Sequence, residues 1–184
     1  MPATDYSTGT RRMTCRVCGT VLEGEYALAH TVDIGNGQTA TVYGYWDLEQ
    51  TALMFEYLNE WRRANGIPEV LNGNDGTARK RALECAYYYS HTRPNGEDCF
   101  SSYETTGWRG AAENIAAGYS GAKAVTEGWK NSSGHNTNML NSEYNYAVVS
   151  MFVVVDNSKT GEVSDIQSGC YQYTRYYSQN FWRK

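Results

Sequence analysis

No stretch of the chain approaches the ~18 consecutive apolar residues that a membrane-spanning helix needs. The first fifteen residues, MPATDYSTGTRRMTC, also lack the apolar centre of a secretory signal peptide. Read literally, that pair of absences describes a cytoplasmic protein. There is no basic tract either: 16 Lys and Arg against 20 Asp and Glu give a net charge of −4. Binding to nucleic acid or to an anionic membrane by charge alone is thereby excluded. Histidine is scarce as well, with three in 184 residues, so the placement of each carries information.

What is present suffices for one domain with a real core and a small appendage. The 16 tyrosines suit a half-wet sheet or a groove lining, since each buries a ring while keeping a polar tip. Residues 1–45 are rich in Thr, Gly and short polar side chains and read as an N-terminal appendage, the end of a repeat or linker. Within it, Cys15-Arg16-Val17-Cys18-Gly19 is a CxxC turn. A closed tetrahedral zinc site needs two further ligands, of which His30 is one candidate; a Cys15–Cys18 disulfide or two idle thiols are the alternatives. Thr39–Tyr45 alternates as a strand does.

Residues 46–184 form the main domain. Asp47 is placed to cap a helix, with Gln50 bonding back to it. Leu48, Ala52, Phe55, Leu58 and Trp61 or Arg62 would make its apolar stripe, and Asn65-Gly66 with Pro68 ends it. A second helix spans about 77–90, burying Ala78, Ala82 or Leu83, Ala86 and Tyr89, with Arg79, Lys80, Arg81 and Glu84 facing water. Residues 92–110 show little periodicity and form a long loop. Cys85 and Cys99 are placed to pair, closing a ring worth about 3 kcal/mol in the chain-entropy model; two buried free thiols are the alternative. Cys170 has no evident mate and is either free or tied to the appendage. A third helix over 121–131 buries Ala122, Val125 and Trp129, and Ser133 can cap a last short helix ending at Leu140. Ala147–Val155 is a nearly unbroken β-branched run, expected of a strand covered on both faces. Tyr171–Trp182 alternates and returns beside it.

The chemistry concentrates in two Gly-flanked segments, Ser90–Gly96 and Ala111–Leu140. His91 ends the second helix, Glu113 stands alone in an apolar patch, and His135 follows Gly134. An unpaired carboxylate there is costly to bury, so Glu113 needs a metal, a histidine or, alternatively, an arginine such as Arg109. We expect His91, Glu113 and His135 to converge on one cleft. A helix-end histidine held by the dipole is the plainer account of His91.

The ordered segments SHTRPNG, AENIA, EGWKNSSGHNTNML and YYSQNFW resemble the SCP-like domains of the CAP superfamily, its bacterial branch most of all. The superfamily takes in cysteine-rich secretory, antigen 5 and pathogenesis-related proteins. The likeness covers roughly Trp46 to Trp182. It implies an α+β fold, a three-layer α-β-α sandwich with a mainly antiparallel sheet. It also implies a secreted or surface protein, of which this chain would be one piece, and a cleft lined by two His and two Glu. His91, Glu113 and His135 match three of those four. The second Glu is expected three residues after the helix Trp, where this chain has Ser132. Glu127 does not replace it, because five residues along a helix turn by about 500°.

Two His and one carboxylate suit Zn²⁺ with a fourth position open to water, and such a water is acidified toward neutrality. Two functions follow. One is a binding module in which the metal shapes a cleft for a peptide, glycan or lipid. The other is a metal-dependent hydrolase of peptide or ester bonds in which Glu113, His91 and His135 are catalytic. A third account makes both histidines structural.

Overall fold

The structure, a computed structural model, describes residues 1–14, 21–158, 162–170 and 172–184. The CxxC turn at Cys15 and Cys18 and the expected strand start at Tyr171 lie outside the described residues.

The β-branched run forms β7 (Tyr146–Val154), buried on both faces as its composition demands. It pairs antiparallel along its length with β8 (Arg175–Trp182), and β8 pairs antiparallel with β6 (Ala111–Ala117). On the other side of β7 comes the hairpin of β3 (Leu28–Gly35) and β4 (Gln38–Trp46). The order across the sheet is β3-β4-β7-β8-β6, with the two-residue β5 (Leu71–Asn72) joining β7 in parallel. The preceding hairpin, β1 (Gly9–Thr14) with β2 (Val21–Tyr26), makes a separate two-stranded sheet. Residues 1–45 thus contribute both to that small sheet and, through β3 and β4, to the main one.

One face of the sheet carries α1 (Leu48–Ala64), α3 (Ala122–Lys130) and α4 (Ser133–Met139); there Met54, Leu58, Val125, Trp129 and Met139 pack on Val149, Met151, Tyr177 and Phe181. The other carries α2 (Thr77–Tyr87), whose Ala82, Leu83 and Ala86 pack on Ile115, Phe152 and Tyr176. This is the expected α+β three-layer sandwich with a mostly antiparallel sheet.

Several local expectations need correction. Asp47 does cap α1, accepting from the Gln50 N–H at 2.9 Å. Gln50 itself does not bond back; its Oε1 accepts from the Ala122 N–H at 2.8 Å and caps α3 instead. The buried stripe of α1 is Met54, Leu58, Asn59 and Arg62 rather than one beginning at Leu48, which is half exposed and leads into a cleft. Arg81 and Glu84 do not face water; both are buried against the sheet, because each finds an ionic partner there. His30 donates from Nε2 to the Gly44 carbonyl at 3.0 Å and stacks edge-on against Trp46 and Phe152, an ordinary packing role. Cys170 is a free thiol.

Arg62 shows how α1 is pinned. Wholly buried, its guanidinium donates to the carbonyls of Pro68, Met139, Asn141 and Tyr144 at 2.7–3.0 Å. It ties α1 to the exit of α4 and thereby fixes the segment that carries His135. Arg62→Met would leave those carbonyls without their donor, at a cost of roughly 1–3 kcal/mol for each one that stays buried. Urea unfolding should show a loss of about 3 kcal/mol or more; a loss below about 1 kcal/mol would show that water replaces the guanidinium at no expense.

Candidate functional site

The site is built on β6, the outer strand of the sheet beside β8. Consecutive residues of a strand face opposite ways, and Glu113-Asn114 uses that rule to reach both layers. Glu113 leans toward α2 and Asn114 toward α4. Asn114 is fully buried; its Nδ2 donates to the His135 carbonyl (3.1 Å) and to Gln179 Oε1 (3.0 Å), while its Oδ1 accepts from Asn138 Nδ2 (2.8 Å). This amide therefore fixes the α4 backbone at His135.

The Glu113 side chain is 1% exposed and takes four donors. Oε1 accepts from His91 Nδ1 at 2.9 Å and Arg81 Nη2 at 3.2 Å; Oε2 accepts from Arg81 Nε at 2.7 Å and Asn180 Nδ2 at 3.1 Å. The arginine that holds it is Arg81, from a helix face expected to be solvated, and not Arg109. Arg81 also donates to Glu84 at 2.6 Å, Glu84 accepts from Arg93 at 2.7 Å, and Arg93 donates to Glu97 at 2.7 Å. This ladder of charges runs from β6 through α2 into the 92–110 loop and orders the start of that loop. Desolvation of so many ions is offset only because each has several close partners.

Burial pushes the Glu113 carboxyl up, but the His91 and Arg81 donors outweigh it and hold its pKa below the usual carboxylate range. The group is an anion, and an anionic carboxylate only accepts. His91 Nδ1 must therefore carry a proton, which leaves Nε2 as the donor atom of the neutral ring. The His91 side chain is 58% exposed, so that ring is open to solvent. His135 is half buried; burial, and then the charge of His91, lower its pKa. His91 is bonded to Glu113 on the α2 side of β6, while His135 is carried by α4 on the other side, where its backbone carbonyl accepts from Asn114. At pH 7 His135 is neutral with a lone pair available.

Possible ligand atoms of His91, Cys99 and Glu113 lie within 4.8 Å of one another. Geometry alone does not make all three good donors. The Cys99 thiol is pushed up to about 12, by burial first and then by the Glu113 charge, and a thiol that stays protonated binds metal poorly. Glu113 has its acceptor positions filled. Of the three, His91 keeps an unused ring nitrogen; His135, expected to join them, is not among the grouped side chains.

Cys85 and Cys99 are not bridged; both are free, buried thiols. Each lies near a different member of the ion pair: Cys85 Sγ is 4.0 Å from Arg81 Nη2, while Cys99 Sγ lies within 4.8 Å of a Glu113 carboxylate oxygen. Glu127 pairs with Lys130 on the surface at 2.8 Å; Ser132 holds the N-cap position of α4 without a side-chain capping bond, and Ser133, expected as the cap, is the first helical residue. Neither supplies a second carboxylate to the cleft. Arg81, Glu84, Arg93, Asn114 and Asn180 were not anticipated as site residues. The Arg81/Glu84 spacing of three was a usable signal, since it places opposite charges together on one helix face.

Residues 55–180 match the family model described as CAP, cysteine-rich secretory protein family. The chain belongs to this family. Among solved structures it is similar to an outer surface protein of Borrelia burgdorferi, with 13% identity and TM-score 0.57, covering 85% of this chain and 99% of that one. An extracellular SCP-domain protein of Bacillus anthracis has 19% identity and TM-score 0.57, and a cysteine-rich secretory protein of Staphylococcus aureus has 16% and 0.52. Each of these two covers 94% of this chain and 67% of its own. No curated protein matches in sequence. At such identities the likeness establishes the fold. No helix among the described residues is long and apolar enough to cross a membrane.

Because Glu113 titrates lower in the fold than in the unfolded chain (about 4.3), its contribution is complete above that value. It disappears as pH falls through the depressed folded value. Glu113→Gln strips Arg81 and His91 of their anion and should cost roughly 3–5 kcal/mol at pH 7. It should also flatten the loss of stability below pH ~4.5. Urea melts at several pH values check both; equal acid slopes in the two proteins would contradict the assignment.

Proposed function

We propose that this CAP domain acts outside the cell or at its surface as a binding module. Its cleft at the β6 edge holds a divalent metal and takes a peptide, glycan or lipid ligand. His91 and His135 are the metal ligands in this reading. Glu113, placed with them from sequence, serves as the carboxylate that fixes the His91 tautomer and orients its ring, a common arrangement around histidine ligands. The observation that supports the reading is the His91 Nδ1–Glu113 bond, which leaves Nε2 of the neutral ring as the nitrogen free to bind a metal, with His135 as its partner ligand in this proposal. Two imidazoles suit zinc and leave positions for water and for the ligand. A bound metal would supply Lewis acidity and a fixed positive charge against which an anionic or carbonyl group could orient.

The extracellular placement draws on the surface and extracellular relatives of the same fold. Charge supports a ligand other than nucleic acid, since the chain is net acidic.

A hydrolase at the same cleft is the lesser reading. Its general base would need an accessible carboxylate with a pKa near the working pH. Glu113 is buried, low in pKa and already bonded to four donors.

Zinc titration with metal analysis should give one bound ion per chain. His91→Ala and His135→Ala should each abolish stoichiometric binding while the protein stays folded. The loaded protein should turn over no member of a broad peptide and ester panel. Unchanged zinc content in His135→Ala would overturn the ligand set, and turnover that disappears in Glu113→Gln would favour the hydrolase.

A further inference from the structure

We propose that the cavity between α1 and α2, at a break in the edge of β7, is a second binding site. Its ligand class is a short extended peptide with a free N-terminal ammonium. This site lies on the far side of β8 from β6 and does not depend on the metal reading.

The break follows from strand pairing. β4 covers β7 only from Phe152 to Val154, and β5 covers only Tyr146 and Ala147. Between them, no described strand lies against this edge. The Asp47 N–H donates to the Met151 carbonyl at 3.1 Å, and the Gly73 N–H to the Ala147 carbonyl at 3.0 Å. The backbone groups of 147 and 151 thus face this edge. Alternation along the strand turns the N–H and C=O of Val149 the same way. Met151 N–H finds Thr51 Oγ1 at 3.2 Å; Val149 meets the cavity.

That cavity encloses about 350 Å³, within the range of small-ligand pockets. Leu48, Ala52 and Phe55 of α1, with Ala78 and Val148, give it an apolar wall. Two of its lining side chains, Ser150 and Asp75, bring buried polar atoms with no partner: Ser150 Oγ and Asp75 Oδ2. Ser150 is 1% exposed. The Asp75 Oδ1 is used, accepting from the Thr77 N–H at 3.0 Å. Among the described residues only one other buried side-chain atom, Trp182 Nε1, is unsatisfied. Buried polar atoms in folded proteins are almost always paired, so two orphans on residues that line one cavity point to a donor-bearing ligand there.

The chemistry selects the ligand. A backbone N–H and C=O side by side on a strand edge are complemented by an extended peptide, as in strand addition. Asp75 Oδ2 calls for a donor, and an ammonium gives the strongest such bond. Asp5, Asp75 and Glu104 gather around the adjoining hollow, where Lys80 pairs with Glu104; Arg79 lines both spaces and turns its guanidinium to Tyr6 Oη at 3.3 Å. Ser150 Oγ takes a second proton of the ammonium or of the first amide, and the apolar wall takes a side chain.

The test is an amide-resolved NMR titration with the tripeptide Ala-Leu-Ala and its N-acetyl form. The free peptide should shift the Asp75, Val149 and Ser150 amides. It should also slow hydrogen exchange at Val149, which in the free protein should exchange faster than Val148. Acetylation, and separately Asp75→Asn, should weaken binding at least tenfold. Ser150→Ala, which removes only an unpartnered hydroxyl, should weaken it while leaving the fold intact. The proposal is overturned if the peptide moves none of these amides, if the acetylated form binds equally well, or if Val149 is already as protected as its neighbours.

Discussion

The Arg81–Glu113 pair is the contact on which the rest of the site depends. It joins α2 to the outer strand β6 through a doubly bonded guanidinium and carboxylate, both nearly without exposure. Because the carboxylate is kept ionised, it can accept from His91; because Arg81 also binds Glu84, the loop carrying Arg93 is drawn in. Ionic side chains in such number would destabilise a core if any one lacked its partners. Here the ladder is closed on all sides, so the site comes as a unit.

The neighbouring Asn114 performs the matching task on the opposite face, where it holds the carbonyl of His135. Two adjacent residues of one strand thereby position two histidines from different layers. The strand lies at the sheet edge, so one pair of adjacent residues reaches the layer of α2 through Glu113 and the layer of α4 through Asn114.

Much of this was legible in the sequence where side-chain period determined the outcome. The β-branched run of β7, the small residues of α2 and the Ala122–Val125–Trp129 face of α3 read directly as core. Where polar residues are buried, pattern failed. Arg81 and Glu84 look like a solvated helix face until their partners on β6 and in the loop are known. Strand β6 escaped notice because AAENIAA has too few large apolar residues to show alternation, its burial coming from neighbours on both sides. In α1, Leu48 shifted the expected stripe because it opens onto the cleft between α1 and α2 rather than the core. The disulfide expected between Cys85 and Cys99 was a spacing argument, and spacing carries no knowledge of the ion pair beside both thiols.

The central claim is that Glu113 fixes the His91 ring so that Nε2 faces the metal position beside His135. Nitrogen NMR of the imidazoles reads this directly. The account predicts that neutral His91 is protonated at Nδ1, and that added zinc shifts the Nε2 signal of His91 together with a ring nitrogen of His135. A His91 ring protonated at Nε2, with neither histidine responding to zinc, would contradict it.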